Sequence, residues 1–356
     1  MMPLPQFLEN YQAVRAALSR VLVGHASAVE HLLVALIADG HVMLTGVPGL
    51  GRTLLVKSVS CALGLSFNRI QFTPDLLPTD ITGTEVLQES ADRRTRSFRF
   101  FKGPIFANLV LADEINRSPP RTQSALLEVM QERQLTVGGQ RYAVPMPFLL
   151  IATQNSLETE GIFPLPEAQM DRFLMGIHMD YPSFDEEVGI VDATTSLGAQ
   201  VFLPSPELPG QGRRVVEPIL SVETLIAMQQ LAKIVPVAPS VKEYALALVR
   251  NTRLGAQTPT DSVARLLRWG SSPRGGQALI AASKVLACVR GRPYVTRQDI
   301  RDIALPVLAH RLVLSYRAGP QGASMSQLVD RLIAETDRQQ APPVKSRRWH
   351  DVLLSR

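Results

Sequence analysis

Cysteine is scarce in this chain: Cys61 and Cys288 are the two in 356 residues, far apart and each in an apolar, helix-like context. That excludes a disulfide framework and a metal site built on thiolate spacing, and it fits buried thiols in a reducing compartment. Long apolar runs are missing too. Nothing approaches the run of about 18 apolar residues that a membrane-spanning helix requires. The opening MMPLPQFLENYQAV has no basic segment ahead of an apolar core, so the expectation is a cytoplasmic protein without its own membrane anchor. There is no internal repeat and no low-complexity tract. Charge is nearly balanced, 37 basic against 32 acidic residues for a net +5, which favours an anionic ligand without marking a nucleic-acid binder.

What is present is a soluble globular composition, 46% hydrophobic, in a chain long enough for two domains. Helical spacing covers residues 6–20 and 26–38. Five short apolar segments follow: Val42–Leu44, 67–72, Phe106–Ala112, Phe148–Thr153 and Phe173–Met179. Helical patterns separate them, the signature of a parallel sheet with crossover helices, so the fold class is α/β. PDLLPTD at 74–80 reads as a proline-punctuated loop, and LTVGGQRYAVP at 135–145 as a hairpin turning at Gly138-Gly139. From Ser221 the pattern is helical throughout, over 221–233, 240–253, 260–268, 275–290, 296–308 and 324–336. The expected organisation is an α/β domain over 1–182, a helix and linker over 183–219, a smaller all-helical domain over 220–336, and a basic tail over 337–356.

The richest stretch is HVMLTGVPGLGRTLLVKSVSCAL, 41–63, in which a short strand meets a glycine turn and then a helix. This order builds a phosphate-binding loop, because glycines let backbone N–H groups close around phosphate oxygens at a helix N-terminus. The pattern G-x-x-x-x-G-K-[ST] is met by GVPGLGRT at every position but one. Arg52 stands where the lysine is required. A nucleoside triphosphate is the expected ligand, bound by Gly46, Val47, Pro48, Gly49, Leu50, Gly51, Arg52, Thr53 and Leu54.

Hydrolysis on such a loop needs a divalent cation and a group to orient the attacking water. The run NLVLADE, 108–114, ends in adjacent carboxylates at a strand end. Asp113 is positioned to hold Mg²⁺ through water alongside the Thr53 hydroxyl, and Glu114 to reach the water; an N-cap for the next helix is the structural alternative. Asn155 closes the following strand, either as a bridge between water and terminal phosphate or as a turn residue.

With these blocks in view, the chain resembles the MoxR family of AAA+ ATPases. The match is carried by VLVGH (21–25), HVMLTGVPGLGRT (41–53), RIQFTPDLLPTDITG (69–83), LADEINRSPPRTQSALLEVMQE (111–132), IATQN (151–155), EGIFPLPEAQMDRF (160–173) and SSPR (271–274), in family order. The resemblance implies an AAA+ domain and lid, ATP and Mg²⁺, and further roles. Val23 and Gly24 would line the adenine pocket, with His25 where the family usually has glutamine. Residues 84–103 would form a helix-2 insert, 135–145 the hairpin before sensor 1, and Asn155 sensor 1 itself. Arg172 would be an arginine finger reaching the γ-phosphate of a neighbouring subunit, and Arg274 a sensor 2 arginine directed at the same nucleotide. A finger acting in trans requires a ring, and a hexamer is implied, with a protein client and a partner bearing a von Willebrand factor A domain.

Lysine-to-arginine is not conservative in a tight cradle, since guanidinium is broad, planar and fork-shaped. ATP binding with slow hydrolysis is therefore expected. Two other functions stay open: a nucleotide-responsive scaffold with little turnover, and a nucleic-acid motor or loader. The insert bears Arg93, Arg94, Arg96, Arg99 and Lys102 among Phe98, Phe100 and Phe101, a mixture suited to nucleic acid or an acidic protein face, although a solvated charged face over a small strand core is favoured. Arg117 and Arg121 belong either near a subunit boundary or simply to a helix start.

Overall fold

The structure is a computed structural model and describes residues 2–89, 96–154, 162–195, 218–254, 263–316 and 324–340. In chain order the α/β part comprises α1 (Leu4–Ser19), α2 (Ala26–Ile37), β1 (Val42–Gly46), α3 (Arg52–Ala62), β2 (Phe67–Gln71), α4 (Pro78–Thr82), β3 (Gly83–Glu89), β4 (Arg96–Lys102) and β5 (Leu109–Asp113). It continues through α5 (Pro120–Glu132), β6 (Gln134–Val137), β7 (Gln140–Ala143), β8 (Leu149–Thr153), α6 (Glu167–Met170), β9 (Met175–Met179) and α7 (Phe184–Thr195). The lid contains α8 (Val222–Ile234), α9 (Pro239–Arg250), β10 (Leu267–Trp269), α10 (Pro273–Val289), α11 (Arg297–Leu308), β11 (Val313–Leu314) and α12 (Met325–Gln340).

The five apolar segments form one parallel sheet in the order β2-β5-β8-β1-β9. Side chains alternate across it, and both faces are covered. Val42, Leu44, Leu109, Leu111, Leu149 and Ile151 pack into a core shared with α1–α3 and the lid, whereas Met43, Val110, Ala112, Leu150 and Ala152 pack beneath α4 and α5. Among the described residues the lid has no separate core. Its Tyr244, Leu279 and Ile303 belong to the same cluster as Leu33 and Leu36 of α2, and Gln229 donates to the Leu36 carbonyl at 2.8 Å.

Four local expectations change. Residues 78–82 are a single helical turn rather than loop, begun by Pro78 and closed by Asp80 accepting from the Leu77 N–H at 2.9 Å. The pattern at 260–268 is not a helix where it is described: Ala264–Leu266 is a short 3₁₀ turn, and Leu267–Trp269 pairs with Val313–Leu314, so the helical lid carries one small antiparallel ribbon. The insert is a β-hairpin, β3 on β4, and its Arg93 and Arg94 lie outside the described residues. Helix α12 runs to Gln340, four residues into the expected tail, the remainder of which is also outside.

Candidate functional site

The glycine loop joins the C-terminal end of β1, an interior strand between β8 and β9, to α3. Gly49 (φ +85°) and Gly51 (φ +71°) adopt the left-handed conformation that glycine favours, and a Cβ on either would enter open space. Gly46 is required for a different reason: a side chain there would collide with the Met179 carbonyl of β9. Beside the loop lies a largely apolar cavity of about 510 Å³. Val23, His25, Pro48–Gly51, Leu54, Tyr181 and Glu187 are among its lining residues, a volume and character suited to a purine nucleoside. Gly24, between Val23 and His25, is not itself among the lining residues, and the Glu186 carboxyl lies 3.4 Å from where its Cβ would be.

Arg52 turns back onto the loop. Its guanidinium donates to the carbonyls of Gly46 and, at 3.0 Å, Val47, while Nε is buried without a partner. Burial lowers its pKa, opposed by Asp113 and Glu114. An unpartnered buried donor at the cradle suits an oxyanion, so the residues fit a phosphate.

Asp113 and Glu114 end β5 as expected, but both are already engaged. Asp113 accepts from Arg69 (2.5 and 3.0 Å) and from the Thr153 hydroxyl (2.6 Å). The Glu114 carboxylate accepts from Gln71 at 2.8 Å and Arg117 at 3.0 Å, and its backbone is left-handed at φ 57°. Such a conformation in a non-glycine residue is sustained by its surroundings, here the Glu114 N–H donating to Thr153 Oγ1 at 2.8 Å. Among the described residues no cluster of three or more acidic, His or Cys side chains could hold a metal by itself. The donor set of Thr53 and Asp113 suits Mg²⁺ shared with phosphates and waters. Asn155 lies outside the described residues.

Arg172 and Arg274 are brought together elsewhere. Strand β9 runs parallel to β1 with Met175 beside Val42 and Met179 beside Gly46, so about 13 Å of strand separates the level of Met175 from the glycine loop. Arg172 lies just before β9, at the opposite end of the strands from the glycine loop, with its Nε buried and unpartnered. Its neighbour Asp171 organises this end. One carboxylate oxygen accepts from Ser272, the N-cap of α10, at 2.7 Å, and the other from Arg311 at 3.1 Å. Ser272 in turn caps the Arg274 N–H at 3.0 Å, leaving the Arg274 side chain exposed. Arg311 is almost wholly buried and also donates to the carbonyls of Asp171, Phe173 and Leu174; burial pushes its pKa down to about 10 against the attraction of Asp171. Arg117 pairs with Glu114, and Arg121 is exposed in the first turn of α5.

Sequence reasoning missed Arg69, Gln71, Asp171, Ser272 and Arg311. The first two carried a readable signal, alternate positions on one face of β2 next to the acidic strand. Arg311 carried none, for its partners lie about 140 positions away.

Fold and site together define a P-loop AAA-type ATPase domain with its lid. The family model "ATPase family associated with various cellular activities (AAA)" matches residues 41–175, and that of the AAA lid domain matches 261–332. The chain belongs to the MoxR family of AAA+ ATPases. It is 42% identical to "Chaperone MoxR1" of Mycobacterium tuberculosis over 88% of this chain and 78% of that one. It is 33% identical to "Protein MoxR" of Paracoccus denitrificans over 91% and 95%. The crystal structure of a candidate ATPase from Cytophaga hutchinsonii superimposes with a TM-score of 0.82 at 35% identity, covering 93% of this chain and 96% of that one. Among the described residues no helix is long and apolar enough to cross a membrane.

Proposed function

We propose that this chain hydrolyses ATP in a ring hexamer and uses the cycle to remodel or mature a client protein, together with a partner bearing a von Willebrand factor A domain. The observation that supports the reading is the separation between the glycine loop, at the C-terminal end of β1, and Arg172, before the N-terminal end of the neighbouring β9, with Arg274 tied to the same end through Ser272 and Asp171. In this reading those arginines serve the nucleotide of a neighbouring copy rather than their own.

In this reading the loop N–H groups and Arg52 bind the phosphates, and the base enters the cavity lined by Val23 and His25. Mg²⁺, when bound, neutralises phosphate charge, and Thr53 and Asp113 would hold it. Glu114 takes a proton from the attacking water, for which it must leave Gln71 and Arg117. Asn155 orients that water. Arg172 and Arg274 of the adjacent copy stabilise the charge that develops on the transferring phosphoryl group. The chaperone-like role is supported by the name of the mycobacterial relative.

One observation favours a second reading, a nucleotide-responsive scaffold with little turnover: the Arg52 guanidinium is spent on its own loop carbonyls. Calorimetry with ATP and Mg²⁺, paired with phosphate release, separates the two. Hydrolysis requires heat of binding, measurable phosphate, and loss of phosphate in Glu114→Gln with binding retained. Binding without phosphate in the wild type selects the scaffold, and no binding by folded protein rejects both.

A further inference from the structure

The lid and the end of α2 enclose a second cavity that the nucleotide reading does not use. It is a groove of about 590 Å³ lined by the apolar Ile37, Leu246 and Ile280, of which Leu246 is half-exposed, and by Lys233, Lys242 and Lys284. No lining residue is acidic. Asp39 neutralises Lys233 at 3.0 Å, while Lys242 has no ion pair among the described residues. Lys284 donates to the Lys233 carbonyl at 2.7 Å, and partial burial with Lys242 nearby lowers its pKa. An apolar trough with surplus positive charge fits an amphipathic helix whose polar positions are acidic.

The chain itself carries such a helix. On α7, Phe184, Val188 and Val191 recur at helical spacing and are 78%, 45% and 55% exposed, and its first turn holds Asp185, Glu186 and Glu187. Its position is telling. Helix α7 follows β9 at the loop end of the sheet and lines the nucleotide cavity through Glu187 and Val191. The groove lies at the other end, where Pro273 on its wall adjoins Arg274. A contact between them is therefore head-to-tail, the type that closes rings.

We propose that the groove receives α7 of a second copy of this chain, with Phe184 and Val188 against Leu246 and Ile280, and Asp185 beside Lys242. The inference rests on the trans reading of Arg172 and Arg274: the neighbour that delivers these arginines to a nucleotide also grips the helix that walls it. Nucleotide occupancy is thereby coupled to the grip, because α7 touches both.

The test uses full-length protein in a Cys61→Ser background. One preparation carries Phe184→Cys and another Leu246→Cys; they are mixed with ATP and Mg²⁺ and treated with a short bismaleimide. A cross-linked dimer in the mixture, and in neither preparation alone, is expected. Separately, Lys242→Glu and Asp185→Lys should each raise the half-assembly concentration about tenfold in mass photometry, and their combination should recover most of it. Fluorescent ADP binding to isolated subunits should be unchanged by Lys242→Glu, which confirms a folded site. Rings that assemble without the cross-link, or a pair of charge reversals that does not recover, overturn the proposal and assign the groove to another occupant. Wild-type protein that never assembles overturns it together with the trans reading.

Discussion

Arg311 reaches from the lid to the carboxylate of Asp171 at 3.1 Å, fastening the helical domain to the residue that precedes Arg172. Because Ser272 shares that carboxylate, one acidic side chain sets the positions of two arginines from different domains. Replacing Arg311 by methionine keeps much of the volume but strands several carbonyls and a carboxylate oxygen. The expected cost is about 3 kcal/mol in denaturant unfolding, within the range for breaking a buried ion pair. ATPase should fall further than nucleotide affinity, since the cradle is at the other end of the strands.

The Arg52 side chain makes a second prediction. A lysine at 52 cannot fork between the Gly46 and Val47 carbonyls, and its ammonium is free to reach a terminal phosphate. Steady-state phosphate release should rise in Arg52→Lys, by about tenfold if one charge-assisted contact to the phosphoryl group is gained, equivalent to ~1.4 kcal/mol. A lower rate would show that the guanidinium is already adapted to the site.

Two histidines, His41 buried and His310 partly buried, predict acid sensitivity. His41 accepts from the Leu150 N–H at 3.0 Å and lies 3.0 Å from the Met130 carbonyl, and burial lowers its pKa to about 4. His310, next to Arg311, is pushed by burial and that cation to about 3. Both are neutral when folded, whereas in the unfolded chain they protonate near 6.5. The unfolded state therefore binds more protons below that value, and stability falls as pH drops from about 6.5 toward 4. Each should contribute a slope of ~1.4 kcal/mol per pH unit, measurable in urea titrations from pH 7.5 to 5. His41→Asn should flatten the slope even if it lowers stability at neutral pH.

Much of the α/β domain was legible because its strands are short, apolar and continuous, and because glycines at 46, 49 and 51 answer to local backbone demands. Phe106 and Phe173 were assigned to strands three and two residues early, since an apolar run does not reveal where ladder hydrogen bonds begin. The ribbon at 267–269 was hidden, because a three-residue strand paired with residues near 313 has no period to detect. The site divides the same way. GVPGLGRT and ADE are local and readable, while the Asp171 junction is built by folding and could not be read from spacing.

The central claim is that the phosphates bound by one copy are completed by Arg172 of the next. It is tested most directly by mixing Glu114→Gln, which keeps its arginine but cannot activate water, with Arg172→Ala, which keeps its acids but offers no finger. Each alone should release almost no phosphate. Equimolar mixtures, after subunit exchange, should regain ATPase at those junctions where a Glu114→Gln copy serves an Arg172→Ala copy. Mixed rings, verified by mass, that remain as inactive as either parent would contradict the account.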